Sequence, residues 1–439
     1  MNTLVMAGQM ILALSILITL HELGHYLAAR AFGIKVEKFF LFFDAGGVKL
    51  FSFKKGDTEY GIGWLPLGGY VKISGMIDES MDTDQLKSDP QPWEFRSKPA
   101  WQRLIVMLAG VTVNIVLGMV IFSGSIMYYG DKYILNDDAK YGITVSDYAE
   151  KLGFRDGDKI THLNGQKVYR FDEIINPTHI VNKAVYTVER DGESFDIALP
   201  DTSLKVITSK KAGFIGLRQT FYIDKITKGS NADKAGLQAN DRILTINHWP
   251  AQFFHNFKDI LFYREGKEVK LEVLRNSDTI AMMVLVDEGG VLGFTAKMDD
   301  LGAQTEYYSF GKSFSEGTKR AFASLLVNIQ ALGKIFSGDV DPTKSLMGPI
   351  ALAEVFGGSW DWQNFWALTG LLSMVLAFMN VLPIPALDGG HALFLLVEMV
   401  IGRPLGDKFM QVTQIIGMVI LLSLMVFVFG NDIWNIISR

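Results

Sequence analysis

Four stretches of the chain are long, apolar and almost free of charge, and they limit the fold before anything else does. A helix needs about 20 predominantly apolar residues to cross the ~30 Å hydrocarbon core of a bilayer. The runs are 4–30, with Glu22 its only carboxylate and no Lys or Arg before Arg30; 104–130, without a charge; 362–387, uncharged until Asp388; and 409–430, uncharged until Asp432. The chain is 49% hydrophobic yet 20% charged, a mixture that needs ordinary water-exposed segments between apolar spans. These features imply a polytopic α-helical membrane protein with four transmembrane helices. The first run follows Met1-Asn2-Thr3, which lacks the positive n-region of a signal peptide, so it reads as a span.

Cysteine is absent, which excludes disulfide frameworks, cysteine-ligated zinc and cysteine nucleophiles. The net charge of -5 is spread along the chain and leaves no basic footprint for nucleic acid. Orientation follows from Lys and Arg in short loops. The segment between spans one and two carries ten, among them Lys35, Lys49, Lys72, Arg96 and Arg103, and the short loop between spans three and four carries Arg403 and Lys408. Both loops are expected on the cytoplasmic side, with the termini and the long stretch 131–361 outside. The expected layout is a first span at 1–32, a cytoplasmic loop at 33–100 and a second span at 101–130. Outer modules at 131–215 and 216–300 and an outer linker at 301–361 follow. A third span at 362–388, a cytoplasmic-side segment at 389–408, a fourth span at 409–430 and an outer tail at 431–439 complete it.

The outer stretch repeats itself. Ala149-Glu150-Lys151-Leu152-Gly153-Phe154, Gly157-Asp158-Lys159-Ile160 and Leu163-Asn164-Gly165 recur as Ala232-Asp233-Lys234-Ala235-Gly236-Leu237, Asn240-Asp241-Arg242-Ile243 and Ile246-Asn247-His248. A short helix ending in Gly, an acidic turn and a β-rich run describe a compact α/β module present twice. The pattern resembles a PDZ domain, a type that takes up an extended peptide at a sheet edge. Gly157 and Gly165 become Asn240 and His248 in the second copy, and the repeat does not show which copy, if either, binds peptide.

The first span carries His21-Glu22-Leu23-Gly24-His25. On a helix the two histidines share a face and can meet one metal ion, with Glu22 beside its water. Ionisable side chains are costly inside a membrane and mark function there. A catalytic zinc site takes three protein ligands and an open position. Asp388 and His391 are the nearby candidates for the third ligand. Asp388 ends the run Asn380-Val381-Leu382-Pro383-Ile384-Pro385-Ala386-Leu387-Asp388-Gly389-Gly390, where Pro383 and Pro385 break the helix and free backbone groups near a cavity.

HExxH in the first span with NxxPxPxLDG in a later one resembles the site-2 protease family of intramembrane zinc metalloproteases, the M50 type. With two PDZ-like repeats between spans two and three, the likeness to its bacterial branch covers essentially the whole chain. It implies Zn2+ as cofactor, His21, His25 and Asp388 as ligands, Glu22 as general acid and base, and Asn380 at the substrate or its developing oxyanion. It also implies cleavage of single-span membrane proteins, such as an anti-sigma factor already shortened on its outer side, or of signal-peptide remnants. The inner bacterial membrane is the implied location. A catalytically idle PDZ-type receptor and a zinc transporter are the readings from other classes.

Residues 48–53 and 58–73 read as strands with turns at Lys55-Gly56-Asp57 and Leu67-Gly68-Gly69. The expectation is a membrane-dipping β-hairpin that offers a strand edge to unwound substrate through Gly61, Gly63, Trp64, Leu65 and Leu67. Residues 318–336 place Phe322, Leu325, Leu326, Ile329, Leu332 and Phe336 at helical spacing, as in a helix at the outer interface.

Overall fold

The structure, a computed structural model, describes residues 3–66, 68–76, 89–175, 184–200, 214–337 and 348–437. It has two compact units, one made of Met1–Gly130 with Tyr307–Arg439 and the other of Asp131–Glu306. In the first unit α1 (Thr3–Ala31) buries Met6, Gln9, Ala13, Leu17, His21, Gly24 and His25. That three- and four-residue spacing defines one face. The second helix, α2 (Ala100–Tyr129), is central. In the second unit the helices are α3 (Asp147–Lys151), α4 (Phe171–Ile174), α5 (Asn231–Lys234) and α6 (Phe254–Phe262). The chain then returns to the first unit as α7 (Phe310–Phe336), α8 (Pro349–Phe356), α9 (Trp362–Val381), α10 (Asp388–Ile401) and α11 (Asp407–Ile437). Against α2 pack α1, α7, α9 and α10. Four helices are long and apolar enough to cross a membrane: α1, α2, α9 and residues 408–434 of α11. The amphipathic segment expected at 318–336 belongs to α7, which packs on α2 and α9.

The third apolar run is not helical throughout. Its first part, α9, stops at Val381, because Pro383 and Pro385 cannot donate to the preceding turn. The chain turns and restarts as α10 at Asp388, so a second helix occupies most of the segment read as a loop. Gly389 and Gly390 make this turn feasible: a methyl group on either would collide with the carbonyls of Val381 and Ile384 respectively. The last helix, α11, is fastened by polar pins. Gln414 Oε1 accepts from Ala386 N at 3.2 Å. Asp432 accepts from the amides of Gly348, Ile350 and Ala351 at 3.1, 2.9 and 3.3 Å, satisfying the N-terminus of α8.

Between α1 and α2 lies a four-stranded sheet of β1 (Val36–Leu41), β2 (Lys49–Lys55), β3 (Thr58–Gly63) and β4 (Tyr70–Ile73). Its order is β2-β3-β1-β4, with β1 parallel to β3 and the other neighbours antiparallel. The β2–β3 hairpin turns at Lys55–Thr58, as its sequence suggests. The run 58–73 is divided, however, and β1 had no sequence expectation: it follows α1 closely and its facing partners are distant in the chain.

The second unit holds two modules with the same plan. One sheet runs β10 (Glu193–Ala198), β9 (Val185–Arg190), β7 (Lys159–Leu163), β8 (Gln166–Lys167); the other runs β16 (Asp278–Leu285), β15 (Glu268–Arg275), β13 (Arg242–Ile246), β14 (Trp249–Pro250). Each module has its own apolar core, built around Phe154 and Tyr186 or around Phe221 and Leu271. The same buried ion pair organises both. Arg190 clasps Asp158 at 2.6 and 2.7 Å and donates to Gly153 O; Arg275 clasps Asp241 at 2.8 and 2.7 Å and donates to Gly236 O. Both carboxylates are buried while each arginine stays partly exposed, and removing the pairing disturbs the strands it joins. Asp158→Ala is therefore expected to speed amide hydrogen exchange across β7 and β9 in the full chain while leaving β13 and β15 protected; Asp241→Ala should do the reverse.

Candidate active site

The HExxH face of α1 meets a face of α2 that is unusually low in profile. Gly24 packs directly on the α2 backbone, where a methyl group would lie 2.7 Å from Ala109 O. On α2, a methyl at Gly110 would overlap His25 Nε2 and lie 2.6 Å from His21 Cε1. These two glycines let the helices approach until main-chain groups reach the imidazoles. Val106 O lies 2.8 Å from His25 Nδ1, and the Asn114 amide lies 3.0 Å from His21 Nδ1. Val106, Gly110 and Asn114 are successive turns of one α2 face, matched to His25 and His21 on the antiparallel α1. Ser373 of α9 donates to Asn114 O at 2.8 Å and ties the third helix to the same turn.

The third group comes from the start of α10. His21 Nε2 and His25 Nε2 are 3.2 Å apart, and each is 3.2 Å from Asp388 Oδ2. Both histidines are buried, and Asp388 Oδ2 receives no hydrogen bond. Since Nδ1 of His25 donates to a carbonyl, its Nε2 presents a lone pair. Two imidazole nitrogens and a carboxylate oxygen thus converge in a buried spot, a donor set that suits a divalent cation. Tetrahedral ligands ~2.0–2.1 Å from a zinc ion are about 3.3 Å from each other, so the triangle fits this metal. Among the described residues these three form the metal-ligand cluster, and His391, also on α10, is not part of it. Asp388 also sits in the first turn of α10, where the helix dipole favours a carboxylate.

Glu22 follows His21 on α1 and is partly exposed beside the cluster. Asn380, in the last turn of α9, places Nδ2 3.2 Å from His21 Nε2. Pro383 and Pro385 lie in the α9–α10 turn; at Pro385, α11 comes so close that Gly417 has no room for a side chain. The sheet residues are placed differently from the metal cluster. Gly61 and Gly63 lie on β3, which is paired on both sides, and their lack of side chains accommodates Phe40 and the Phe43 backbone. Trp64 and Leu65 follow β3: Trp64 Nε1 donates to Ala45 O at 2.9 Å, and Leu65 bridges to Phe43. Leu67 lies outside the described residues.

The family model of peptidase family M50 matches residues 9–424. The chain belongs to peptidase family M50. Regulator of sigma E protease from Haemophilus influenzae is 29% identical, with 97% of this chain and 98% of that one covered. Regulator of sigma-E protease RseP from Escherichia coli K12 is 26% identical over 96% and 97% respectively. This M50 chain is a zinc metalloprotease of the site-2 protease type and a membrane protein. Gly110 and Asn114 had no sequence expectation, because the second span stands out only as an uncharged run. Asn114 did carry a signal, being an amide in an otherwise apolar run; the role of Val106 O has none, because a carbonyl is common to every residue.

Gly110→Val is expected to push the two imidazoles apart. Metal analysis of the purified variant should show zinc falling well below the roughly one per chain expected for a mononuclear site, with helix content by circular dichroism retained.

Proposed function

We propose that this M50 protease hydrolyses a peptide bond in the membrane-spanning segment of single-span proteins, with His21, His25 and Asp388 as zinc ligands and Glu22 as general acid and base. The observation that carries the reading is the convergence of the three ligand atoms beside Glu22, two of them on a helix long enough to cross a bilayer and the third on the short helix that follows another such span. Bound there, zinc supplies a Lewis acid for the peptide carbonyl and brings the pKa of water towards about 7. Glu22 takes a proton from the attacking water on its carboxylate and returns it to the leaving amine nitrogen. Asn380, with its amide directed at His21 Nε2, donates to the carbonyl oxygen as negative charge develops.

A helix must be unwound before it can be cut, and its backbone then needs new partners in lipid. The four-stranded sheet is suited to this. Its edges are β2 and β4, and β4 begins beside α1, where Gly69 packs on Ile18, one turn before His21. A substrate strand added there lies next to the reacting groups. Two relatives carry names that tie them to regulation of sigma E, and the substrate we infer is a membrane-bound anti-sigma factor, with signal-peptide remnants a further class. We place 33–100 and the α10–α11 side in the cytoplasm and the two modules in the periplasm, as the basic loops direct. There the PDZ-like pair acts as a filter that admits substrates already shortened outside.

Glu22→Gln keeps every ligand and removes the base. It is expected to retain zinc while cleavage of a single-span substrate lacking its outer domain falls about 10²–10⁴-fold; cleavage at the wild-type rate would contradict the role of Glu22. Excising 140–300 should allow cleavage of substrates with an intact outer domain, and unchanged selectivity would count against the filter.

A further inference from the structure

Asn114 is completely buried on α2, in the middle of a run without charges, and its side chain faces a ligand histidine. Its amide is 3.0 Å from His21 Nδ1, while its other polar atom, Oδ1, is buried without a partner. His21 Nε2 points at the metal position, so that atom carries a lone pair and the ring proton is on Nδ1. A protonated Nδ1 needs an acceptor. An amide NH2 facing it sets donor against donor, whereas a half-turn of the Asn114 amide brings Oδ1 to the same place as an acceptor for Nδ1–H. His25 follows the same logic through Val106 O.

We propose that Asn114 is a positioning residue that accepts a hydrogen bond from His21 Nδ1–H through its amide oxygen, holding His21 in the tautomer whose Nε2 binds zinc. The inference rests on His21 being a ligand. It has a structural basis in the packing: Ser373 anchors the Asn114 carbonyl and Gly110 brings the helix within reach. It also accounts for a buried amide in a membrane helix, where an unsatisfied polar group is costly. Such partners of a ligand histidine fix ring orientation and raise its basicity, and their loss weakens metal binding about 10–100-fold.

The test is the zinc dissociation constant of purified full-length wild type, Asn114→Leu and Asn114→Asp in detergent, measured by competition with a chelator. Asn114→Leu removes the acceptor at similar size; Asn114→Asp keeps an acceptor and removes the donor. The expected result is about 10–100-fold weaker zinc for Asn114→Leu and affinity within a few-fold of wild type for Asn114→Asp. Thermal unfolding of the zinc-free proteins separates a lost hydrogen bond from a lost fold. If Asn114→Leu does not fold, Asn114→Asp decides alone, because a donor role predicts that it loses zinc about tenfold or more. Wild-type affinity in Asn114→Leu, or equal losses in both variants, would overturn the proposal. A wild type that binds zinc equally well after His21→Ala would overturn the ligand reading beneath it.

Discussion

The distance between α1 and α2 governs the metal cluster. His21 and His25 occupy one face of α1, but HExxH spacing alone leaves each imidazole free to rotate. What fixes them is the adjacent α2 backbone, admitted by Gly24 and Gly110. At a spacing set by larger side chains, Val106 O could not reach His25 and Asn114 could not reach His21. The two glycines forgo side-chain packing, and the resulting approach orders both imidazoles at once. Small residues between membrane helices serve this purpose generally, since lipid offers no hydrophobic force to bring helices together.

The third member of the cluster depends on a different device. Asp388 reaches the histidines because α9 ends early and α10 begins immediately after a proline-broken turn. Such irregular backbone inside a membrane survives only where its polar groups find partners. Gln414 of α11 supplies one, and Gly417 allows that helix to lie on Pro385. Thus α11 supports the Asp388 turn from behind while Asp432 secures its far end to α8. The large lipid-facing surface of α11 contributes little to this arrangement; its few polar contacts do.

The convergence of His21, His25 and Asp388 was legible because these residues are chemically expensive where they stand. Two histidines, Glu22 and Asp388 in apolar runs have few structural explanations, and Pro383 and Pro385 marked where a helix had to break. The repeat of Asp158 and Asp241 was equally visible, because a buried carboxylate demands the same arginine in both modules. Long-range pairing was not legible. Nothing local distinguishes β1, whose partners come from 58–73, and α10 lies in a segment read only as the connection between two spans. The hairpin's turn was readable at Lys55-Gly56-Asp57, but the sheet sets Gly61 between two paired neighbours, a fact that appears only once β1 is placed.

The central claim, that His21, His25 and Asp388 together hold zinc, is most directly tested by X-ray absorption at the zinc edge on the purified chain. The account predicts four-coordinate zinc with two imidazole nitrogens at ~2.0–2.1 Å and oxygen ligands at ~2.0–2.2 Å. It further predicts one oxygen fewer from the protein, replaced by solvent, in Asp388→Ala. A six-coordinate, all-oxygen environment, or a spectrum with fewer than two imidazoles, would contradict it.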